Sequence, residues 1–443
     1  MIRILITVIC LILIVYVISK RSRYFLITPQ FAFVVSFIPS LVLLSLFVEK
    51  WSIDLDYKTM LLIIVGAGVF TGVSFLSESF LRKYRIKGVF ADYHISNIKT
   101  EERLVENSTI VLFIIAGSIG VAAYLVYVAS FSKSFSISDI STVLRNYRDA
   151  YNENDLDMPA FVSVTSMVAT CISYYCVFYF FKHRKSLSGH GIKIILLFIS
   201  CIPGVIIPFL SGARGGLINY GIYVFSAVLI NSTKEKKIQR KTITIAIILA
   251  IVAVATLRLV GILMGREIND STIDYIGMYL PAPIRNLDYI IRTEKIGLFS
   301  GFGDSANRTF SKLLKFLSFR FGLPIAEAPV RRTLMVNGYF TGNMYTGYYN
   351  LLHDAGFIGA ILLLALTAFL CQLIYAGVRR KIEEGEACSN TRIIAYTMVY
   401  SYLFLSFFNE NFFFNVFTNY FLRQIVFFYL IDWFVRKTNV PSD

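Results

Sequence analysis

Charge is what this chain has least of. Only 16% of its 443 residues are Asp, Glu, Lys or Arg, against roughly 25% in soluble domains. That deficit excludes an ordinary water-facing surface over most of the chain. Cysteine is sparse too. Cys10, Cys171, Cys176, Cys201 and Cys371 sit in apolar runs and Cys388 in a polar one, with no C-x-x-C pair. Neither a disulfide framework nor a thiolate metal site is expected. The chain has no Walker loop, no GxGxxG opening a helix, no HExxH and no GxSxG. ATP hydrolysis, nicotinamide chemistry and zinc proteolysis therefore lack support. The short carboxylate pairs Asp54/Asp56 and Asp155/Asp157 are weak hints of a divalent ion, because such spacings arise often by chance. No metal and no cofactor is expected.

Apolar residues are abundant, at 56%, and 15% of the chain is aromatic. A membrane helix needs ~20 apolar residues. Eleven such spans are read near 2–19, 28–48, 59–80, 109–129, 161–181, 194–210, 215–231, 242–261, 355–377, 391–408 and 420–435. The first resembles a signal peptide, but Lys20, Arg21 and Arg23 close it without a small-residue cleavage site, so it reads as a transmembrane helix. The expected fold is one all-α polytopic membrane domain over 1–443. Helices are the form expected, because a long apolar run satisfies its backbone internally.

The loops set the direction. Lys20–Arg23, Arg82–Lys87, Lys182–Lys185, Lys234–Lys241, Arg379–Lys381 and Arg436–Lys437 are basic, and they fall on alternate sides of the spans. The positive-inside rule makes that side cytoplasmic and puts the N-terminus outside. The net charge of +15 is largely this topology signal, so nucleic acid is not an expected partner. Two external segments are longer than connectors, at about 130–160 and 262–354. The second is expected to contain helices, with 316–324 a candidate dip into the membrane.

Arginine outnumbers lysine on the external side, where Arg145, Arg148, Arg214, Arg266, Arg285, Arg292 and Arg331 fall. Its planar fork grips phosphate at two points, which points to a phosphate-bearing ligand. The plainer reading is contact with lipid headgroups and nearby carboxylates. The sharpest item is Ser211-Gly212-Ala213-Arg214-Gly215-Gly216, a charge at the end of a tight hairpin among glycines that let backbone N–H groups approach an anion. In a helix, Arg145 and Arg148 share a face and are able to bracket a diphosphate. The stretch from Asn337 to Asn350, with Tyr339, Asn343, Tyr345 and Tyr348, mixes flat rings with amides in a way that suits sugars; an interfacial aromatic belt is the alternative. His353-Asp354 follows, readable as a proton acceptor with its orienter or as a helix cap.

These features resemble the Wzy-type O-antigen polymerases, which join oligosaccharide repeat units. The resemblance rests on the multi-span layout with a long external loop before the last three helices, on the Gly-Ala-Arg-Gly-Gly turn, and on the Gly/Tyr/Asn-rich stretch ending in His353-Asp354-Ala355-Gly356-Phe357-Ile358-Gly359. The related O-antigen ligases carry a histidine at a spacing that falls here on Tyr345, which favours polymerase over ligase. The resemblance implies a GT-C-like, metal-independent glycosyltransferase of lipopolysaccharide biosynthesis in the bacterial inner membrane, active on the periplasmic side. It implies transfer of a growing glycan from undecaprenyl diphosphate to the non-reducing end of a lipid-linked repeat unit. Membrane lipids and a chain-length regulator protein are the other implied partners. Arg214, with Arg145, Arg148, Arg285, Arg266 and Arg331, is expected to bind the diphosphate. Asp354 or His353, or else Glu410 at the last outer hairpin, is expected to activate the acceptor hydroxyl. Tyr339, Tyr345, Tyr348 and Asn343 are expected along the sugar track. The rival readings are a lipid-linked oligosaccharide flippase, a GT-C transferase using a lipid-monophosphate sugar, in which Asp54 and Asp56 matter most, and a structural subunit with no ligand.

Overall fold

A computed structural model describes residues 1–84, 104–132, 140–154, 158–212, 214–232, 271–294, 296–299, 333–384 and 388–438, with a few single positions between them. The chain is mostly helical. Among the described residues, seven helices are long and apolar enough to cross a membrane. These lie at Ile2–Arg21, Tyr57–Lys83, Asn107–Ala129, Ala160–His183, Gly191–Leu210, Gly215–Ser232 and Tyr348–Glu383, and a shorter apolar helix covers Pro29–Ser45. The run 242–261 and the proposed dip at 316–324 lie outside the described residues.

Where the sequence suggests one domain, contacts within the chain gather into two compact units. Unit one comprises residues 1–93, 273–388 and 398–422. Its helices are α1 (Ile2–Arg21), α2 (Pro29–Ser45) and α3 (Tyr57–Lys83), packed with a much later helix. Helix starts and stops follow simple chemistry. Pro29 occupies the first turn of α2, where its missing N–H costs nothing. Asp56 caps α3 by accepting the Lys58 N–H at 2.8 Å. Arg82 and Lys83 close α3, where cations suit the negative helix end.

Unit two is built from α4 (Asn107–Ala129), α5 (Ile140–Asn154), α6 (Ala160–His183), α7 (Gly191–Cys201), α8 (Pro203–Leu210) and α9 (Arg214–Ser232), with residues 389–397 and 423–443. Gly120 lets α4 lie on α6: a Cβ there would sit 2.4 Å from the Thr165 carbonyl. The single run expected at 194–210 is two helices. Pro203 has no N–H to continue the ladder, so α7 stops at Cys201 and α8 begins. The freed groups find partners at once. Ser173 Oγ donates to the Cys201 carbonyl at 2.7 Å and accepts the Gly204 N–H at 3.1 Å. Tyr220 Oη reaches the same carbonyl at 3.0 Å. A break inside lipid is tolerated when its backbone groups are satisfied this way.

Unit one also holds α10 (Thr272–Tyr279), α11 (Ala282–Thr293) and a hairpin, β1 (Leu334–Val336) with β2 (Tyr339–Gly342). Its turn is Asn337-Gly338, both with positive φ, as a two-residue hairpin requires. Next comes α12 (Tyr348–Glu384), whose helical path breaks at Gly356, with φ 70°. Gly66 of α3 makes room for Tyr348, whose Oη lies 2.4 Å from where a Cβ would be. Phe33 and Phe70 stack at 4.3 Å beside it, with Phe37 5.5 Å from the Tyr348 ring. At the other end, Arg82 bridges Glu78 and Glu383, each at 2.8 Å, tying α3 to α12. The last elements are α13 (Asn390–Phe404), α14 (Phe412–Val416) and α15 (Asn419–Thr438). The expected spans 391–408 and 420–435 fall on α13 and α15. Buried residues fill much of α13 from Ile393 to Tyr400, so it is a core helix.

Candidate functional site

The arginine cluster of unit two is organised by α5. This helix is two-faced: Val143, Leu144 and Tyr147 are buried, while Arg145 is exposed. Tyr147 is its anchor. Its hydroxyl lies 3.3 Å from that of Tyr124, and the rings of Tyr127 and Phe131 meet it edge-on at 5.9 and 5.4 Å. Arg145 and Arg148 both lie near Asp149, at 3.9 and 3.5 Å. The helix rests on the Ser211–Gly215 turn. Gly212 has φ 66°, and a Cβ on it would come within 3.9 Å of Arg148 Cβ and 4.0 Å of the Leu144 carbonyl. Arg214 is the first residue of α9, so this turn, the α9 N-terminus and Arg148 converge. The Arg214 side chain lies outside the described residues, as do Arg266 and Arg331.

In unit one the candidate base pair sits where α12 breaks. Gly356 takes a backbone conformation open to glycine, which leaves the next N–H groups without partners in their own helix. Carbonyls of the preceding loop accept them: Phe357 N–H to Gly297 at 3.2 Å and Ile358 N–H to Leu298 at 2.9 Å. Just before the break, Asp354 is buried and accepts the Thr309 N–H at 2.6 Å. Its other oxygen lies 3.1 Å from His353 Nδ1. Asp354 is thus inside a helix and holds a loop N–H, so of its two expected readings the helix N-cap does not match its position. His353 is partly exposed, with a side chain 21% accessible, and it follows Tyr349 along the same helix face.

The expected sugar track divides. Tyr345 and Tyr348 are fully buried. Tyr345 stacks on Tyr349 at 4.3 Å, and Tyr348 fills the α2–α3 interface. Their ring faces are taken by protein, which corrects the expectation that they meet a sugar in this conformation. Tyr339 and Asn343 are exposed, and Lys50 Nζ lies 4.2 Å from the Tyr339 ring centre. Asn286 fixes this segment by donating to the Thr341 carbonyl at 3.1 Å and the Met344 carbonyl at 2.9 Å.

Glu410 has the geometry of a cap. Its two oxygens accept the Phe413 N–H at 2.8 Å and the Phe414 N–H at 3.0 Å, both at the start of α14. Asp56 caps α3 and Asp54 faces Arg3 at 3.4 Å, so both carboxylates have structural work. Asp155 and Asp157 lie outside the described residues. Among the described residues, no group of three or more His, Cys, Asp or Glu side chains is placed to hold a metal.

Arg285 lies half-buried on α11, in unit one. Its Nε has no hydrogen-bond partner among the described residues. Burial pulls its pKa below the ordinary arginine value; Asp288 opposes that shift and Arg292 reinforces it. Sequence reasoning passed over Asp288. This buried carboxylate accepts the Asp56 N–H at 2.7 Å, the Thr59 hydroxyl at 2.8 Å and Arg292 Nε at 2.9 Å. The only signal in the sequence is the four-residue spacing of Asp288 and Arg292 on a helix.

No protein-family model, curated protein or solved structure matches the chain.

Proposed function

We propose that this chain is a membrane glycosyltransferase of the O-antigen polymerase type. It crosses the inner membrane eleven times with its N-terminus outside, and works on the periplasmic face. The observation that carries this reading is the seating of α5 on the Gly212 turn, which brings Arg148 to the start of α9 at Arg214. Two arginines, a positive helix end and glycine backbone are the parts of a diphosphate clamp.

In the proposed reaction, the acceptor hydroxyl oxygen attacks the anomeric carbon of the donor glycan. The bond from that carbon to the diphosphate oxygen breaks, and undecaprenyl diphosphate leaves with the electron pair. A base takes the hydroxyl proton, and His353 of unit one is the candidate that its chemistry offers. Asp354 fixes the imidazole through Nδ1, the usual arrangement of a base and its orienter. Charge growing on the leaving diphosphate is met by fixed cations, worth about 10²–10³-fold for one donor in comparable sites. Tyr339 and Asn343 offer exposed contacts to sugar.

The test is Arg214→Ala in cells that depend on this protein for polymer. Lipid-linked single repeat units should accumulate and long chains should vanish, at normal protein level. An unchanged chain ladder sinks the assignment. Trapping of the unit on the cytoplasmic side would instead indicate a flippase.

A further inference from the structure

The break between α7 and α8 leaves a recess that the reaction above does not use. It is a cleft of about 240 Å³. Val177 and Phe180 of α6, Leu197 and Phe198 of α7, and Tyr220 and Val224 of α9 wall it, all within unit two. We propose that this cleft is a binding site for one acyl chain of a membrane phospholipid.

Three observations choose that occupant. The walls come from helices long and apolar enough to span a membrane, so the recess lies at hydrocarbon depth, not at a watery surface. It opens onto the lipid-facing side, since Phe198, Ile202 and Val205 on its rim are exposed at 57%, 45% and 48%. Its polar atoms are already engaged: Tyr220 Oη meets Ser173 Oγ at 2.7 Å and the Cys201 carbonyl at 3.0 Å. A small site with no free polar group, reached from lipid, suits the methylene chain of the phospholipid around it. The same helix also supplies the route. Tyr220 and Val224 follow Arg214 along α9 by about 9 and 15 Å at 1.5 Å per residue. A lipid whose phosphate rests at the arginine turn has its chain beside this cleft. That link to the headgroup rests on the proposed diphosphate clamp; the cleft itself does not.

The test is photo-crosslinking of the full chain in nanodiscs, with two probes carrying a diazirine in the hydrocarbon. One is a phosphatidylglycerol with a labelled acyl chain, the other a labelled polyprenyl phosphate. Adducts should concentrate on 177–181, 197–205 and 220–224. Val224→Trp, which fills the cleft, should cut them at least fivefold, and Phe198→Ala, which widens it, should retain them. Thermal unfolding in detergent checks that both variants fold. If Val224→Trp does not fold, Val205→Trp serves in its place. Adducts from the phospholipid support the proposal; adducts from the polyprenyl probe alone overturn it. Adducts spread evenly over lipid-facing residues, or unmoved by the filling variant, overturn it. Chain ladders from the Arg214 variant report on the polymerase reading separately.

Discussion

Four buried or half-buried groups in unit one look alike in sequence and differ in what they touch. Both oxygens of Glu410 are engaged by backbone N–H groups at the start of α14. One oxygen of Asp354 holds the Thr309 N–H while the other faces His353, whose ring is part-exposed. Removing a general base costs about 10²–10⁴-fold in rate. His353→Ala should therefore lose chain extension by that order at normal protein level. Asp354→Asn retains an oxygen for Thr309 and should lose less, whereas Glu410→Gln should keep most activity. Polymer length on gels, normalised to protein, reads all three. Full activity in His353→Ala with none in Glu410→Gln would move the base to α14. Asp288 shows the purely structural extreme. Asp288→Ala strands the Asp56 N–H and the Thr59 hydroxyl, at about 1–3 kcal/mol for each buried donor. A drop of several degrees in unfolding temperature is expected.

The elements themselves were legible to different degrees. Long apolar runs are visible in one dimension, because a helix in lipid satisfies its own backbone. The shared helical face of Arg145 and Arg148 could be read only on condition that the segment is helical, and α5 is that helix. The break at Pro203 and the core positions of Tyr345 and Tyr348 were not legible. The break is stabilised by Ser173 and Tyr220 on other helices. Tyr348 is covered by Phe37 and the α3 glycine Gly66, far away in the chain. A ring in a Gly/Asn-rich run reads as a ligand contact until those partners are known. The docking of α5 gives an element-scale prediction. Tyr147→Ala removes its anchor, and truncating a buried aromatic costs about 3–5 kcal/mol. Tyr147→Phe forfeits one hydroxyl contact, about 1 kcal/mol. The alanine variant should expose 140–154 to protease and shorten polymer although every arginine is intact. The phenylalanine variant should do neither. Loss in both variants alike would mean that the hydroxyl, and not the ring packing, holds the helix, and loss in neither would mean that Tyr147 does not anchor it.

For the whole molecule, the deciding quantity is the parity of membrane crossings. The proposed layout puts ten spans between Arg23 and Lys437, an even number, so both must lie on the same side of the membrane. Six spans separate Asp54 from Asn343, so these two must also share a side, opposite to the first pair. In the proposed layout, the basic residues at the closing turns of α1, α3, α6 and α15 put the first pair in the cytoplasm by the positive-inside rule. Each pair has accessible members: Arg23, Asn343 and Lys437 are exposed, and the Asp54 side chain is 72% accessible. Single cysteines at these four positions, in a chain whose six cysteines are replaced by alanine, make the count measurable. An impermeant maleimide applied to the outer face should label Asp54→Cys and Asn343→Cys and spare Arg23→Cys and Lys437→Cys. Inside-out vesicles should reverse the pattern. If 242–261 does not cross, Asn343 and Lys437 exchange sides while Asp54 and Arg23 stay. That outcome would put Tyr339, Asn343 and His353 on the opposite side from the one that the proposed reaction requires. The chemistry assigned to His353 therefore depends on a crossing that the labelling pattern tests directly.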